Sequence, residues 1–139
     1  MAKTTAMTLG QQGEAFAAAY YRERGARVLN MNVRCASGEI DLIAREPGGT
    51  VVFVEVKTRS GRDFGAAEAV DRRKLSRMRR AAAEWLRDKP WAQVRFDVLA
   101  LTVVGRHRDS RCERLVFDAQ CYEGVDSGAR WSAESLPPG

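Results

Sequence analysis

Apolar residues recur along this chain at two different periods. From Leu9 to Arg24 they fall at helical spacing, with Phe16, Ala17, Tyr20 and Tyr21 in phase. Gly25 stands where a helix C-cap belongs. Val28 to Cys35 then reads as a strand, rich in branched residues and interrupted by Asn30 and Asn32, and Ala36-Ser37-Gly38 reads as a turn. Glu39 to Arg45 is predicted as a second strand, Glu46-Pro47-Gly48-Gly49 as a hairpin turn and Thr50 to Arg59 as a third strand. The third strand holds the most apolar run, Val51-Val52-Phe53-Val54. Ser60 to Gly65 is predicted as a loop, and Ala66 to Arg87 as a long amphipathic helix with Val70, Leu75, Met78, Ala82, Trp85 and Leu86 on one side. Pro90 forbids its continuation. Val94 to Val104 is a fourth strand, Gly105 to Arg114 a charged turn, and Leu115 to Tyr122 a short strand at an edge. The order αβββαββ predicts the α/β class, a mixed sheet flanked by helices. Residues 1–122 are expected to form a single domain, and residues 123–139, poor in apolar side chains and carrying a Pro-Pro pair, a loose tail.

Length and composition narrow the chemistry. A chain of 139 residues can bury a sizeable core in one domain. No apolar run approaches the roughly 18 residues of a membrane helix. Met1 to Gln12 has no apolar stretch of the kind a secretory signal needs. The three cysteines, Cys35, Cys112 and Cys121, match no zinc spacing. An odd count suits a reducing compartment, so the expected location is cytoplasmic. A single histidine, His107, argues against histidine-based triads. Chemistry must therefore rest on carboxylates, lysine, arginine or hydroxyls. Lys and Arg total 23 against 18 Asp and Glu, a net charge of +5 that suits a polyanionic partner.

Two strands carry charges where apolar residues are expected. The third reads Val54-Glu55-Val56-Lys57, and Glu55 and Lys57 share a face with Phe53. Charges in a central strand must be paired or bind a metal; on an edge strand they would form an ordinary surface ladder. The second strand reads Ile40-Asp41-Leu42-Ile43, although aspartate is depleted in strands. Antiparallel pairing about Pro47-Gly48-Gly49 brings Asp41 near Glu55. Clustered carboxylates suit a hard divalent cation, Mg²⁺ or Mn²⁺, and a neighbouring lysine suits phosphodiester hydrolysis. A cross-strand Asp–Lys pair on a wet surface is the alternative.

Asp41 followed by Glu55-Val56-Lys57 resembles the Asp…(Asp/Glu)-x-Lys pattern of the restriction-endonuclease-like superfamily. Gly13-Glu14, Gly38-Glu39-Ile40-Asp41-Leu42-Ile43, Phe53 to Arg59, Phe64-Gly65, Ala69-Val70, Lys74 and Arg95-Phe96-Asp97-Val98 together resemble the YraN-like bacterial proteins, which are similar in fold to Holliday-junction resolvases. The resemblance runs from about Leu9 to Val98. It implies a restriction-endonuclease-like fold. It further implies that Glu14, Asp41 and Glu55 are metal ligands and that Lys57 is the catalytic lysine. Ile40 stands where the superfamily often has proline. Glu39 is a lesser candidate, and Asp97 is read as a buried partner of Arg95 or Lys74.

Basic residues follow the same logic. Arg73, Lys74, Arg77 and Arg80 crowd the second helix, and Arg59 and Arg62 flank the loop after Lys57. All six are candidate nucleic-acid contacts, because the guanidinium fork suits phosphate; a solvated helix face is the alternative. The expected function is metal-dependent hydrolysis of phosphodiester bonds in DNA, branched or structured DNA included. The alternatives are a nucleic-acid-binding module with the nuclease fold and little catalysis, and a protein–protein adaptor in DNA metabolism. A homodimer is compatible with symmetric cleavage, and no membrane association is expected.

Overall fold

The computed structural model describes residues 7–60, 72–110 and 113–125. Helix α1 (Leu9–Glu23) opens the fold. Thr8 caps it in a box, its side chain accepting from the Gln11 N–H while the Gln11 side chain accepts from the Thr8 N–H. Gly25, at φ +85°, turns the chain out of the helix in the left-handed conformation its position demands.

Strands β1 (Arg27–Cys35), β2 (Gly38–Arg45) and β3 (Val51–Arg59) form an antiparallel meander. Helix α2 (Arg72–Leu86) follows, and β4 (Val94–Arg108) returns parallel to β3 before β5 (Glu113–Tyr122) pairs antiparallel with β4. The strand order is β1-β2-β3-β4-β5. The architecture is thus a mixed five-stranded sheet with two helices in the order αβββαββ.

Alternation sorts the core into two layers. Ala17, Ala18 and Tyr21 of α1 pack on Leu42, Ala44, Val52, Val54, Leu99 and Leu101. On the opposite face Leu75, Met78, Ala81 and Ala82 of α2 pack on Ile43, Phe53, Val98 and Ala100. Strand β3 is covered on both faces, which explains its unbroken apolar run. It is a central strand, so the edge-ladder alternative for Glu55 and Lys57 does not apply. Trp85 serves the core, its ring edge-on to Phe53 at 5.8 Å.

Two expectations need correction. The stretch Gly105–Arg114 is not simply a charged turn, because β4 continues to Arg108 and β5 begins at Glu113. Cross-strand ion pairs hold it extended: Arg106 and Arg108 both reach the Glu113 carboxylate, at 2.5 and 3.1 Å. Residues 123–125 are not loose either. The Gly124 N–H donates to Asp97 at 3.1 Å, the Val125 N–H donates to the Phe96 carbonyl at 2.9 Å, and the Val125 side chain is buried. The rest of the expected tail, residues 126–139, lies outside the described residues.

Asp97 itself is fully buried and fully engaged. It accepts from the Tyr21 hydroxyl at 2.7 Å and from the Arg95 guanidinium at 2.9 and 3.0 Å. Its partner is therefore Arg95, and its role is to tie α1, β4 and the residues after β5 together. Burial first, and then the Asp97 charge, hold the Tyr21 hydroxyl well above its ordinary pKa.

Gly13 positions α1. A Cβ built there would lie 2.2 Å from Thr58 Oγ1 and 3.2 Å from Thr58 Cβ, so only glycine lets the helix seat on β3. The Gly13→Ala variant should lose about 1–3 kcal/mol by overpacking, despite alanine's better helix propensity. Gly13→Ala combined with Thr58→Ala should recover most of that loss. Urea titration of the four members of the cycle measures this; strict additivity of the two substitutions would refute the contact.

Candidate active site at the open end of β2 and β3

The β2–β3 ladder closes near its hairpin and stops at Leu42↔Val54. One residue further along β2 the Asp41 carboxylate takes over, accepting the Val56 N–H at 2.8 Å. A side chain thus replaces a ladder carbonyl where the two strands part. Continuing the register would set Asp41 opposite Glu55, and Glu55 acts on Asp41 by charge and by a side-chain hydrogen bond. Asp41 and Glu55 line one cleft of about 310 Å³ together with Gly38, Lys74, Arg77 and Met78.

Helix α2 forms the other wall. Lys74 lies in its first turn and places its ammonium 2.5 Å from Glu55 Oε1. The Glu55 side chain is only 8% exposed and that of Lys74 35%. Gly38 eases the close packing of α2 on β2, since a Cβ there would stand a tight 3.3 Å from Arg77 Cβ. Lys57 lies two residues beyond Glu55 on β3, half-buried, within electrostatic reach of Glu55 and in hydrogen-bonding contact with Lys74.

Titration reflects this crowding. Burial, and then the Glu55 charge beside it, push the Asp41 carboxyl from 3.8 up to about 7, although the Val56 N–H and Lys74 oppose the rise. Burial pulls the Lys57 ammonium below its ordinary range, and the neighbouring Lys74 and Arg59 add to this against the pull of Glu55. Burial acts most strongly on Lys74 and would lower it, but the hydrogen bond and charge of Glu55, with Lys57 and Asp41, together leave it raised.

The candidate residues separate into groups. Asp41, Glu55, Lys57 and Lys74 come together. Glu14 does not join them: it lies in a different, shallow depression with Gln11, Arg22, Met31 and Asn32. Among the described residues no group of three Asp, Glu, His or Cys side chains could hold a metal ion. Glu39 borders the cleft but forms a surface pair with Arg34 at 3.2 Å. Arg73, Arg77 and Arg80 are exposed on α2, and only Arg77 of the three borders the cleft. Arg59 ends β3, and Arg62 lies outside the described residues.

The donor set suits a hard divalent cation. Two carboxylates converge, and burial, followed by the charge of Glu55, raises the pKa of Asp41 to about 7. Mg²⁺ is commonly held by only one or two carboxylates plus waters and phosphate oxygens. Sequence reasoning missed the Glu55–Lys74 pair, having placed Lys74 among the phosphate contacts. Periodicity marks Leu75 and Met78 as the buried side of α2, but it does not say where on the sheet the helix lands, so the pair left no signal in the sequence.

Among solved structures, the chain is similar to a repair endonuclease from Pyrococcus abyssi, with 19% identity, a TM-score of 0.42 and coverage of 71% of this chain and 40% of that one. It is also similar to EndoMS in a complex with double-stranded DNA, with 21% identity, a TM-score of 0.41 and coverage of 69% and 37%. The chain thus spans about two fifths of those proteins. No helix among the described residues is long and apolar enough to cross a membrane. Among curated proteins, a UPF0102 protein of Corynebacterium efficiens is 47% identical over 128 residues, which cover 92% of this chain and 99% of that protein. One of Mycobacterium tuberculosis is 50% identical over 103 residues, covering 71% and 80%. The family described as uncharacterised protein family UPF0102 matches residues 13–101. With that match spanning both sides of the cleft, the chain belongs to the UPF0102 family, the YraN-like group that its motifs resemble.

Proposed function

We propose that the cleft between β2, β3 and α2 is the active centre of a metal-dependent nuclease that hydrolyses phosphodiester bonds in DNA. One observation carries the reading: a buried carboxylate, Glu55, and a half-buried one, Asp41, meet at the parting of two strands with two amines beside them. Asp41 and Glu55 would hold Mg²⁺ or Mn²⁺. Such an ion, when bound, supplies positive charge for the phosphoryl oxygens and acidifies water. The remaining steps belong to the protein. The Val56 N–H fixes the Asp41 carboxylate. Lys57, with its pKa lowered, is suited to accept the proton of the attacking water as the new P–O bond forms and the ester bond breaks. Arg77 at the cleft wall would neutralise the phosphate.

Glu14 lines a different depression from the one that holds this pair. Lys74 already engages the Glu55 carboxylate, which favours a second reading, a nucleic-acid-binding module with little catalysis.

Two measurements separate the readings. Calorimetry should show Mn²⁺ binding to the native protein and none to Asp41→Asn. Lys57→Ala should keep Mn²⁺ affinity within a few-fold while cleavage of a branched duplex falls at least about 100-fold, the usual scale for losing a general base. Mn²⁺ binding unaltered by Asp41→Asn would refute the ligand assignment. Full cleavage by Lys57→Ala would refute the role of the amine.

A further inference from the structure

The sheet does not end where its helical cover ends. Strand β3 pairs with β4 only as far as Arg59↔Thr102. Beyond that point β4 and β5 continue as a two-stranded ribbon, paired from Val103↔Phe117 to Arg108↔Glu113; α1 meets its base, Phe16 against Phe117 and the Gln12 side chain accepting the Leu115 N–H at 3.1 Å. Six further residues of β4 extend it about 20 Å. Strands β3 and β4 are parallel, so the ribbon leaves the sheet at the same end as Glu55 and Lys57. A register shift at Val104 bends it away, leaving Val104 and Val116 exposed.

Its side chains are cationic. Residues 104–116 contain Arg106, Arg108, Arg111 and Arg114 against Asp109 and Glu113. Arg106 and Arg108 are 66% and 81% exposed although both touch Glu113. Glu113 thus aligns two guanidinium groups while leaving most of their donors open. A two-stranded antiparallel ribbon has the width that the major groove of a duplex admits. A single strand offers no such groove.

We propose that the β4–β5 ribbon is a duplex-binding arm, laid along double-stranded nucleic acid whose scissile region lies in the Asp41–Glu55 cleft. The inference rests on reading that cleft as a nucleic-acid site and extends it to the substrate class, a duplex long enough to reach the arm. Arg106 and Arg108 bind phosphate, and Glu113 orients them.

Fluorescence anisotropy with a 20-base-pair DNA duplex and a single strand of equal length tests this, with EDTA present to prevent cleavage. The Arg106→Gln/Arg108→Gln variant should bind the duplex at least about tenfold more weakly at moderate salt. Its log K against log salt should be shallower by up to about two, near 0.9 for each lost phosphate contact. Single-strand affinity should change far less. Glu113→Gln removes the orienting carboxylate and one negative charge. It should steepen the salt dependence, whereas a merely structural role for Glu113 would weaken binding with no change of slope. Arg114→Gln lies outside the ion pairs and should weaken duplex binding without unfolding the ribbon. Unchanged duplex affinity in both arginine variants overturns the proposal, as does an equal loss on the single strand. So does a dimer in the native protein that the arginine variants dissociate, since the ribbon would then be a contact between copies. Mn²⁺ calorimetry on the same proteins keeps the two ideas apart. A ribbon effect without Mn²⁺ binding sinks only the metal reading; Mn²⁺ binding without a ribbon effect sinks only the arm.

Discussion

Asp41→Asn should stabilise the metal-free protein at pH 8 and leave it little changed at pH 4. The carboxyl rises from 3.8 to about 7 on folding, through burial and then through Glu55. A group with a raised folded pKa holds its proton more tightly in the native state. Its ionisation therefore costs stability progressively as pH climbs from about 4 to about 7, and the whole penalty is present above that. A rise of this size corresponds to at most about 4 kcal/mol, and residual solvent access brings the expected gain to about 2–4 kcal/mol. Asparagine keeps an oxygen for the Val56 N–H, so the strand junction survives the change. Urea unfolding in EDTA at both pH values measures the difference. A variant no more stable than the native protein at pH 8 would mean that the two carboxylates are better solvated than their burial indicates. The same substitution that removes metal binding is thus expected to improve the bare fold, the trade-off of a site whose charges are arranged for a ligand rather than for stability.

Much of the site was legible because its charges violate the pattern around them. Asp41 and Glu55 interrupt runs that bury both faces of their strands, and the Pro47-Gly48-Gly49 hairpin fixes which residues oppose each other. The central place of β3 follows from the same apolar run. Other features left no such trace. The Glu55–Lys74 contact depends on where a crossover helix lands, which local periodicity does not encode. Glu14 follows Gly13, whose lack of a side chain admits the close contact of α1 with Thr58, a packing need that the motif alone did not reveal. The β4–β5 ribbon was read as a turn because its residues are charged. It is held extended by cross-strand pairs to Glu113, and these become visible only once the register is known. Residues 123–125 resemble a tail in composition, yet the fully buried Asp97 captures the Gly124 N–H.

Lys74→Met should produce the other large effect, lowering the stability of the metal-free protein while raising its affinity for metal. In the bare protein the ammonium is the counter-cation of a nearly buried carboxylate, 2.5 Å from it. Removing one member of a buried pair strands the other and costs about 3–5 kcal/mol; with Lys74 a third exposed, about 2–3 kcal/mol is expected at pH 7. A divalent cation held by Asp41 and Glu55 competes with that ammonium for the same oxygen. Without Lys74 there is neither a competitor to displace nor a like charge to oppose the ion, so Mn²⁺ should bind at least about tenfold more tightly, about 1.4 kcal/mol. Thermal melts should then show the variant well below the native protein in EDTA. Saturating Mn²⁺ should raise its melting temperature by more than that of the native protein, narrowing the gap. Lys74→Arg keeps the charge and should stay near native in both conditions. If Lys74→Met bound Mn²⁺ no more tightly than the native protein, Lys74 and the metal would not share Glu55, and the lysine would be a structural clamp on α2 alone. A loss in EDTA that Mn²⁺ repairs would identify Lys74 as the cation that holds the centre together until the metal takes its place.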